Sequence, residues 1–142
     1  MLGTFRWYAT QRVEQLTSVP YARDYTHLEV WRRSHELTLA IYRLTQSFPS
    51  FERFGLTAQL RRACCSIPMN LAEGKERTGP RAFASFVDIA AGSAAEAEYQ
   101  LLLARDLGYL QFEEHATFAE QLAAIRRMLT ALRNSLRQAL QS

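Results

Sequence analysis

A chain of 142 residues that is 48% hydrophobic, with six glycines and four prolines, can bury one core and is too apolar to stay disordered. Its formal charge is +3, and 16 of its 17 basic residues are arginine, Lys75 being the exception; that bias suits phosphate or carboxylate binding through a planar fork, but it also follows from a GC-rich genome and names no ligand. No run of about 18 apolar residues occurs, which argues against a membrane span or a membrane partner.

Residues 1–25 have weak periodicity and read as an N-terminal arm, partly helical over 8–17. They contain no apolar core of a secretory signal, which points to a cytoplasmic protein. A single bundle domain is expected over 26–142. It opens at Thr26-His27-Leu28-Glu29, the T-x-x-E pattern of a capping box. From there Val30, Ser34, Leu37, Ile41, Leu44 and Phe48 recur at 4-3-4-3-4 spacing, a helix seam that stops at Phe48-Pro49.

A second stripe, Leu56, Leu60, Ala63/Cys64, Ile67 and Leu71, is closed by Gly74. Thr78-Gly79-Pro80 then opens a third helix, with Pro80 in the first turn, where proline is tolerated. That helix carries two apolar rows, Phe83, Val87, Ala90, Ala94, Ala97, Leu101 and Ala104, and Phe86, Ile89, Ser93, Leu103 and Leu107, and ends near Gly108. The fourth shows Phe118, Leu122, Ile125, Leu129, Leu132, Leu136 and Ala139/Leu140. Four long helices with short links, and no competing strand pattern, predict an all-α, antiparallel up-down-up-down four-helix bundle. The second row of the third helix, and His35, Leu39 and Tyr42 on the first, exceed what an isolated bundle needs. The surplus points to self-association, with an unpartnered greasy surface as the other reading.

Residues 61–74, RRACCSIPMNLAEG, set a proline and two adjacent cysteines inside the second stripe. In a helix, neighbouring side chains point about 100° apart, so Cys64 and Cys65 cannot bridge each other. Pro68 removes one backbone donor and crowds the carbonyl of Cys64, four residues back. Cys64 is expected on the core side and Cys65 at its flank, both packing as small hydrophobes, because no base or helix N-terminus activates either thiol.

This stretch also carries a resemblance, together with Leu28-Glu29-Val30-Trp31, Phe54-Gly55-Leu56-Thr57 and Gln59-Leu60-Arg61-Arg62-Ala63. Its own contribution is Ser66-Ile67-Pro68 and Asn70-Leu71-Ala72-Glu73-Gly74. Further on, Ile89-Ala90, Gly92-Ser93, Glu96, Ala104 and Asp106-Leu107-Gly108-Tyr109-Leu110 complete it. Over about residues 26–140 the chain resembles the four-helix-bundle proteins encoded by intervening sequences of bacterial large-subunit ribosomal RNA genes. That family also takes in the accessory variability determinant of diversity-generating retroelements. The resemblance implies that the second helix continues through Pro68 to Gly74, and that Pro68, Asn70, Glu73, Gly74 and Glu96 are structural. It also implies a ring-like homo-oligomer, a pentamer being favoured, whose basic surface engages RNA or DNA, and a reverse transcriptase where the gene lies in a retroelement. The ribosomal members of the family have no assigned activity.

The chain carries no recognisable catalytic or metal-binding pattern. None of the 11 glutamates is followed by histidine three positions on, and His27, His35 and His115 sit at unrelated spacings, so no di-metal or zinc pattern arises. There is no glycine-rich phosphate loop and no nucleophile elbow. The expectation is a non-enzymatic protein with no catalytic residue, metal or cofactor. Glu96 falls among apolar residues and, if buried, needs a partner such as Arg61 or Arg62, a structural ion pair being favoured over a catalytic acid.

Charge geography is the remaining signal. The third helix and its flank hold two arginines against four acids, a net of −2, whereas 56–78 holds Arg61, Arg62, Lys75 and Arg77 against two glutamates, a net of +2. From 121 onward Arg126, Arg127, Arg133 and Arg137 meet no acid, and Arg126, Arg133 and Arg137 share one face at i, i+7 and i+11. These eight basic residues are the expected nucleic-acid contacts, the fourth helix first. Complementarity to the helix dipole explains the fourth-helix arginines equally well, since Glu113, Glu114 and Glu120 precede them. A pure protein-interaction module is the alternative function.

Overall fold

The computed structural model describes residues 24–77 and 79–141. The expected N-terminal arm lies outside them except for its last two residues. Four helices form in chain order: α1 (Glu29–Leu44), α2 (Leu56–Glu76), α3 (Pro80–Asp106) and α4 (Phe112–Gln141). Short 3-10 turns, Asp24–His27, Thr45–Ser47 and Ser50–Glu52, fill the approach to α1 and the link to α2. No strand occurs among the described residues.

The helices pack in a closed circuit, α1 on α2, α2 on α3, α3 on α4 and, less extensively, α4 on α1. Side-chain pairs fix the directions. Ser66 meets Ser93 while Gly74 meets Phe83 and Phe86, so α2 and α3 run oppositely. Arg126 reaches Glu98 and Arg133 reaches Asp88, so α3 and α4 do as well. The up-down-up-down bundle therefore holds.

The core is the set of predicted rows. Ile41, Leu60, Ile67, Leu71, Leu101 and Leu122 are fully buried, and each such side chain contributes about 1.5–3 kcal/mol on leaving water. On α3 the buried row is mostly alanine (Ala90, Ala94, Ala97, Ala104), which lets its neighbours approach the backbone closely. The last turns of α4 lie beyond the core: Leu136 is half-buried, and Ala139 and Leu140 are exposed.

Side chains explain the unusual residues. Pro68 sits inside a continuous α2 and offers no N–H to the carbonyl of Cys64. Thr38 of α1 reaches that carbonyl in part: its one hydroxyl proton is shared between the carbonyl of Ser34 at 2.8 Å and that of Cys64 at 3.2 Å. One turn on, the amide of Asn70 donates to the carbonyl and the hydroxyl of Ser66, at 2.8 and 2.9 Å, while Ser66 and Ser93 bond across the α2–α3 seam at 2.7 Å. At the bundle end, Tyr109 donates its phenolic proton to Glu52 at 2.8 Å, and the other oxygen of Glu52 accepts the N–H of Leu56. Two distant parts of the resemblance, around Phe54-Gly55 and Asp106-Tyr109, are thus one structural joint.

Three expectations are corrected. The capping box at Thr26 does not form. Leu28 is the N-cap with no side-chain bond, because the 3-10 turn already directs the N–H of Leu28 to the carbonyl of Tyr25, and Glu29 pairs with Arg32 and Arg33 instead. Gly74 does not close α2, which runs on to Glu76. Gly74 is glycine for contact: a Cβ there would lie 2.7 Å from Cβ of Phe86 and 2.9 Å from Cδ1 of Phe83. Glu96 is exposed on the outer side of α3 and forms no ion pair among the described residues, while Arg61 is engaged with α1. Glu73, also expected to be structural, forms an exposed i,i+4 pair with Arg77 at 2.9 Å, and such pairs contribute about 0.5 kcal/mol or less.

Candidate nucleic-acid interface

An open groove of about 630 Å³ runs along the outer side of α2, between the C-terminal part of α1 and the turn that precedes α2. Tyr42 contributes from α1, Arg53 and Phe54 from the turn, and Arg61 and Arg62 from the second turn of α2. Ser66, Met69 and Asn70 form its far end. No carboxylate lines it. Beyond Met69 the surface turns acidic, at a shallower depression lined by Glu73 and Glu76.

Helical spacing brings these groups together. Ala58, Arg61, Arg62, Cys65 and Met69 recur at three to four residues on the face of α2 opposite the buried Leu60, Cys64, Ile67 and Leu71. Arg61 is held rigidly. Its Nε donates to the hydroxyl of Thr45 at 2.7 Å, a terminal nitrogen donates to the carbonyl of Tyr42 at 3.1 Å, and its guanidinium lies 4.6 Å from the Tyr42 ring centre. Arg53 lies 5.3 Å from the Phe54 ring centre. Phe54 is 87% exposed, a large apolar ring in water. Arg62 is exposed and makes no ion pair among the described residues.

The cysteines divide by side. Cys64 is buried with no exposure, and burial first, then the neighbouring Cys65, pushes its thiol up to about 12. Cys65 borders the groove, with Sγ 3.5 Å from Sδ of Met69. Among the described residues, no three His, Cys, Asp or Glu side chains gather where a metal ion could be held, and no helix is long and apolar enough to cross a membrane.

The other expected contacts are dispersed. Lys75 lies over the Phe83 ring, and Arg77 lies over Phe86 while paired with Glu73, both at the opposite end of α2. On α4 the arginine stripe is largely spent inside the protomer. Arg126 pairs with Glu98 at 2.5 Å and Arg133 with Asp88 at 2.6 Å, and the bond to Asp88 raises the pKa of Arg133 above its ordinary value. Arg127 and Arg137 are exposed and form no ion pair among the described residues.

Residues 26–131 match the family model described as 23S rRNA-intervening sequence protein. The chain belongs to that family. Among solved structures, it is similar to a protein of unknown function from the S23 ribosomal protein family of Bacteroides thetaiotaomicron, with a TM-score of 0.67 and 23% identity over 73% of this chain and 97% of that one. At that identity the likeness shows the shared fold. Among curated proteins none matches.

Within this family member, sequence reasoning finds Arg61 and Arg62 and misses Arg53, Tyr42 and Phe54 as parts of one site. Tyr42 is visible in sequence only as surplus apolar surface. Arg53 and Phe54 stand in a non-periodic link, and their signal is positional: Phe54, Ala58, Arg61/Arg62 and Cys65 share one helical phase.

Proposed function

We propose that the protein is a cytoplasmic, non-enzymatic bundle that self-assembles and binds nucleic acid through the α2 groove, as an accessory or scaffold factor. The observation that carries this reading is the groove's three guanidinium groups with no carboxylate among its lining residues. Elsewhere the basic side chains of α4 meet acids of α3, so that surface is locally neutral at Arg126 and Arg133. The groove keeps its charge. The family's name refers to an intervening sequence of 23S rRNA, which makes RNA a natural ligand to test beside DNA. The partners proposed are further copies of the chain, five in a ring being favoured, and RNA or DNA, joined by a reverse transcriptase where the gene lies in a retroelement.

Phosphate contacts release counterions, so binding should weaken steeply as salt rises. The test is fluorescence anisotropy with labelled mixed-sequence RNA and DNA at two salt concentrations. Arg53→Gln with Arg62→Gln removes two exposed charges without touching the hydrogen bonds of Arg61. It should weaken binding to every sequence and flatten the log–log salt slope by about 1.5, while circular dichroism stays unchanged. A wild type that binds neither nucleic acid at low salt overturns the reading and leaves a protein-interaction module. The exposed apolar side chains of α3 and its C-cap, Ile89, Tyr99 and Leu107, favour that second reading.

A further inference from the structure

The groove holds more than phosphate binding requires. A duplex offers it only a rail of phosphates, since its bases are paired and stacked within the helix. Arginines alone would suffice for that, and an aromatic ring standing in water would have no part in the contact. Here two rings accompany the charges. Phe54 is 87% exposed and Tyr42 is 44% exposed, and each has a guanidinium at its ring, Arg53 at 5.3 Å and Arg61 at 4.6 Å. Rings and guanidinium planes are both surfaces on which an unpaired base stacks, whatever its identity.

At the far end of the groove there is also a fixed polar group. Asn70 gives its amide N–H to the carbonyl and the hydroxyl of Ser66, which orients the side chain. Its Oδ1 is left as an acceptor with no donor among the described residues, suited to an exocyclic amino group of a base. A volume of about 630 Å³ admits bases as well as backbone.

We infer that the groove takes single-stranded nucleic acid, with unpaired bases stacked on Tyr42 and Phe54 and the backbone along Arg53, Arg61 and Arg62. This rests on the nucleic-acid reading of the groove and specifies its ligand. The charge pattern, three cations and no anion, matches a phosphate backbone, and the exposed rings match bases that only a single strand presents.

The test uses the full chain and three labelled probes of equal length and mixed sequence: a single strand, the same strand in a duplex, and an abasic strand that keeps the phosphates. The single strand should bind on the order of tenfold tighter than either of the others, the scale of one stacked base. Phe54→Ala, at a side chain that packs on no core, should remove most of that preference and leave duplex affinity and salt slope unchanged. Phe54→Trp should restore or increase it. Equal affinity for single strand, duplex and abasic strand overturns the stacking inference while the phosphate reading survives. So does a Phe54→Ala variant that keeps the preference. Failure of all three probes at low salt overturns both.

Discussion

The thiol of Cys64 is enclosed by the core, and burial holds its pKa at about 12, far above the pH of ordinary alkylation. Cys65, one residue on, borders an open groove. Alkylation of native protein at about pH 8 should therefore label one thiol per chain, Cys65 by peptide mapping, and reach the second only after unfolding. Two labels in the folded protein would contradict the burial. Tyr109 has a pKa raised for a different reason. Its hydroxyl donates to Glu52, a bond that raises its pKa, with burial and the charge of Glu52 adding to the shift. A pKa raised by folding stabilises the protein below the unfolded value, about 10, and the benefit fades as pH rises beyond it. Tyr109→Phe should lower the unfolding midpoint at neutral pH, and its gap to wild type should shrink above about pH 10. A gap that does not change with pH would mean the hydroxyl bond contributes nothing. Gly74 decides between two effects. Alanine gains about 1 kcal/mol of helix propensity over glycine, whereas overpacking costs about 1–3 kcal/mol. Its Cβ would sit 2.7 Å from Cβ of Phe86, an atom fixed to another backbone. Sterics should win, so denaturant unfolding of Gly74→Ala should show a net loss.

At the scale of the helix, Pro68 and Thr38 form one device shared by α2 and α1. Proline leaves the carbonyl of Cys64 without its helical donor, and the Thr38 hydroxyl reaches it across the interface. Thr38→Val should cost about 1–3 kcal/mol, since a buried carbonyl loses its partner. In a Pro68→Ala background the new N–H can satisfy that carbonyl from within α2, so the same change should cost less. The cycle should give a coupling of about 1 kcal/mol, and strict additivity would refute the device. Sequence shows the proline and the carbonyl it strands, but not the threonine, because no local rule links position 38 to position 64. The same division runs through the whole fold. Apolar rows project burial directly onto a helical period, so Val87, Ala90, Ala94 and Leu101 are legible as core from their spacing alone. Ends and pairings are not. The T-x-x-E pattern loses to a 3-10 turn, and Gly74 looks like a stop when its reason lies on α3. The α4 stripe looks free in sequence because its acids, Glu98 and Asp88, stand 28 and 45 residues away.

For the whole molecule, the outward side of α3 is the feature that a lone bundle leaves unexplained. Ile89 is 51% exposed, Tyr99 63% and Leu107, just past the end of α3, 50%; Ile89 and Leu107 are in helical phase, with Tyr99 about 80° round from them. Between them a Cβ at Gly92 would meet nothing within 4 Å of the protomer, and Glu96 is the exposed charge on the same side. Burying this side between copies is the self-assembly proposed above, and it has a consequence for the groove. Each copy added to a symmetric assembly adds a groove, and a strand long enough to span two of them binds the second at raised effective concentration. Ile89→Glu with Tyr99→Glu places charges where apolar contact is expected, at side chains too exposed to matter for the protomer core. Light scattering should show wild type assembled at micromolar concentration and the variant monomeric, with helicity unchanged. A strand that fills one groove should bind both proteins alike, while a strand spanning several should lose about 100-fold in affinity for the variant. If wild type is monomeric, the proposed self-assembly falls; if the variant stays assembled, α3 is not the interface. If assembly is lost and the long strand binds as before, the grooves act singly, and assembly has some purpose other than avidity.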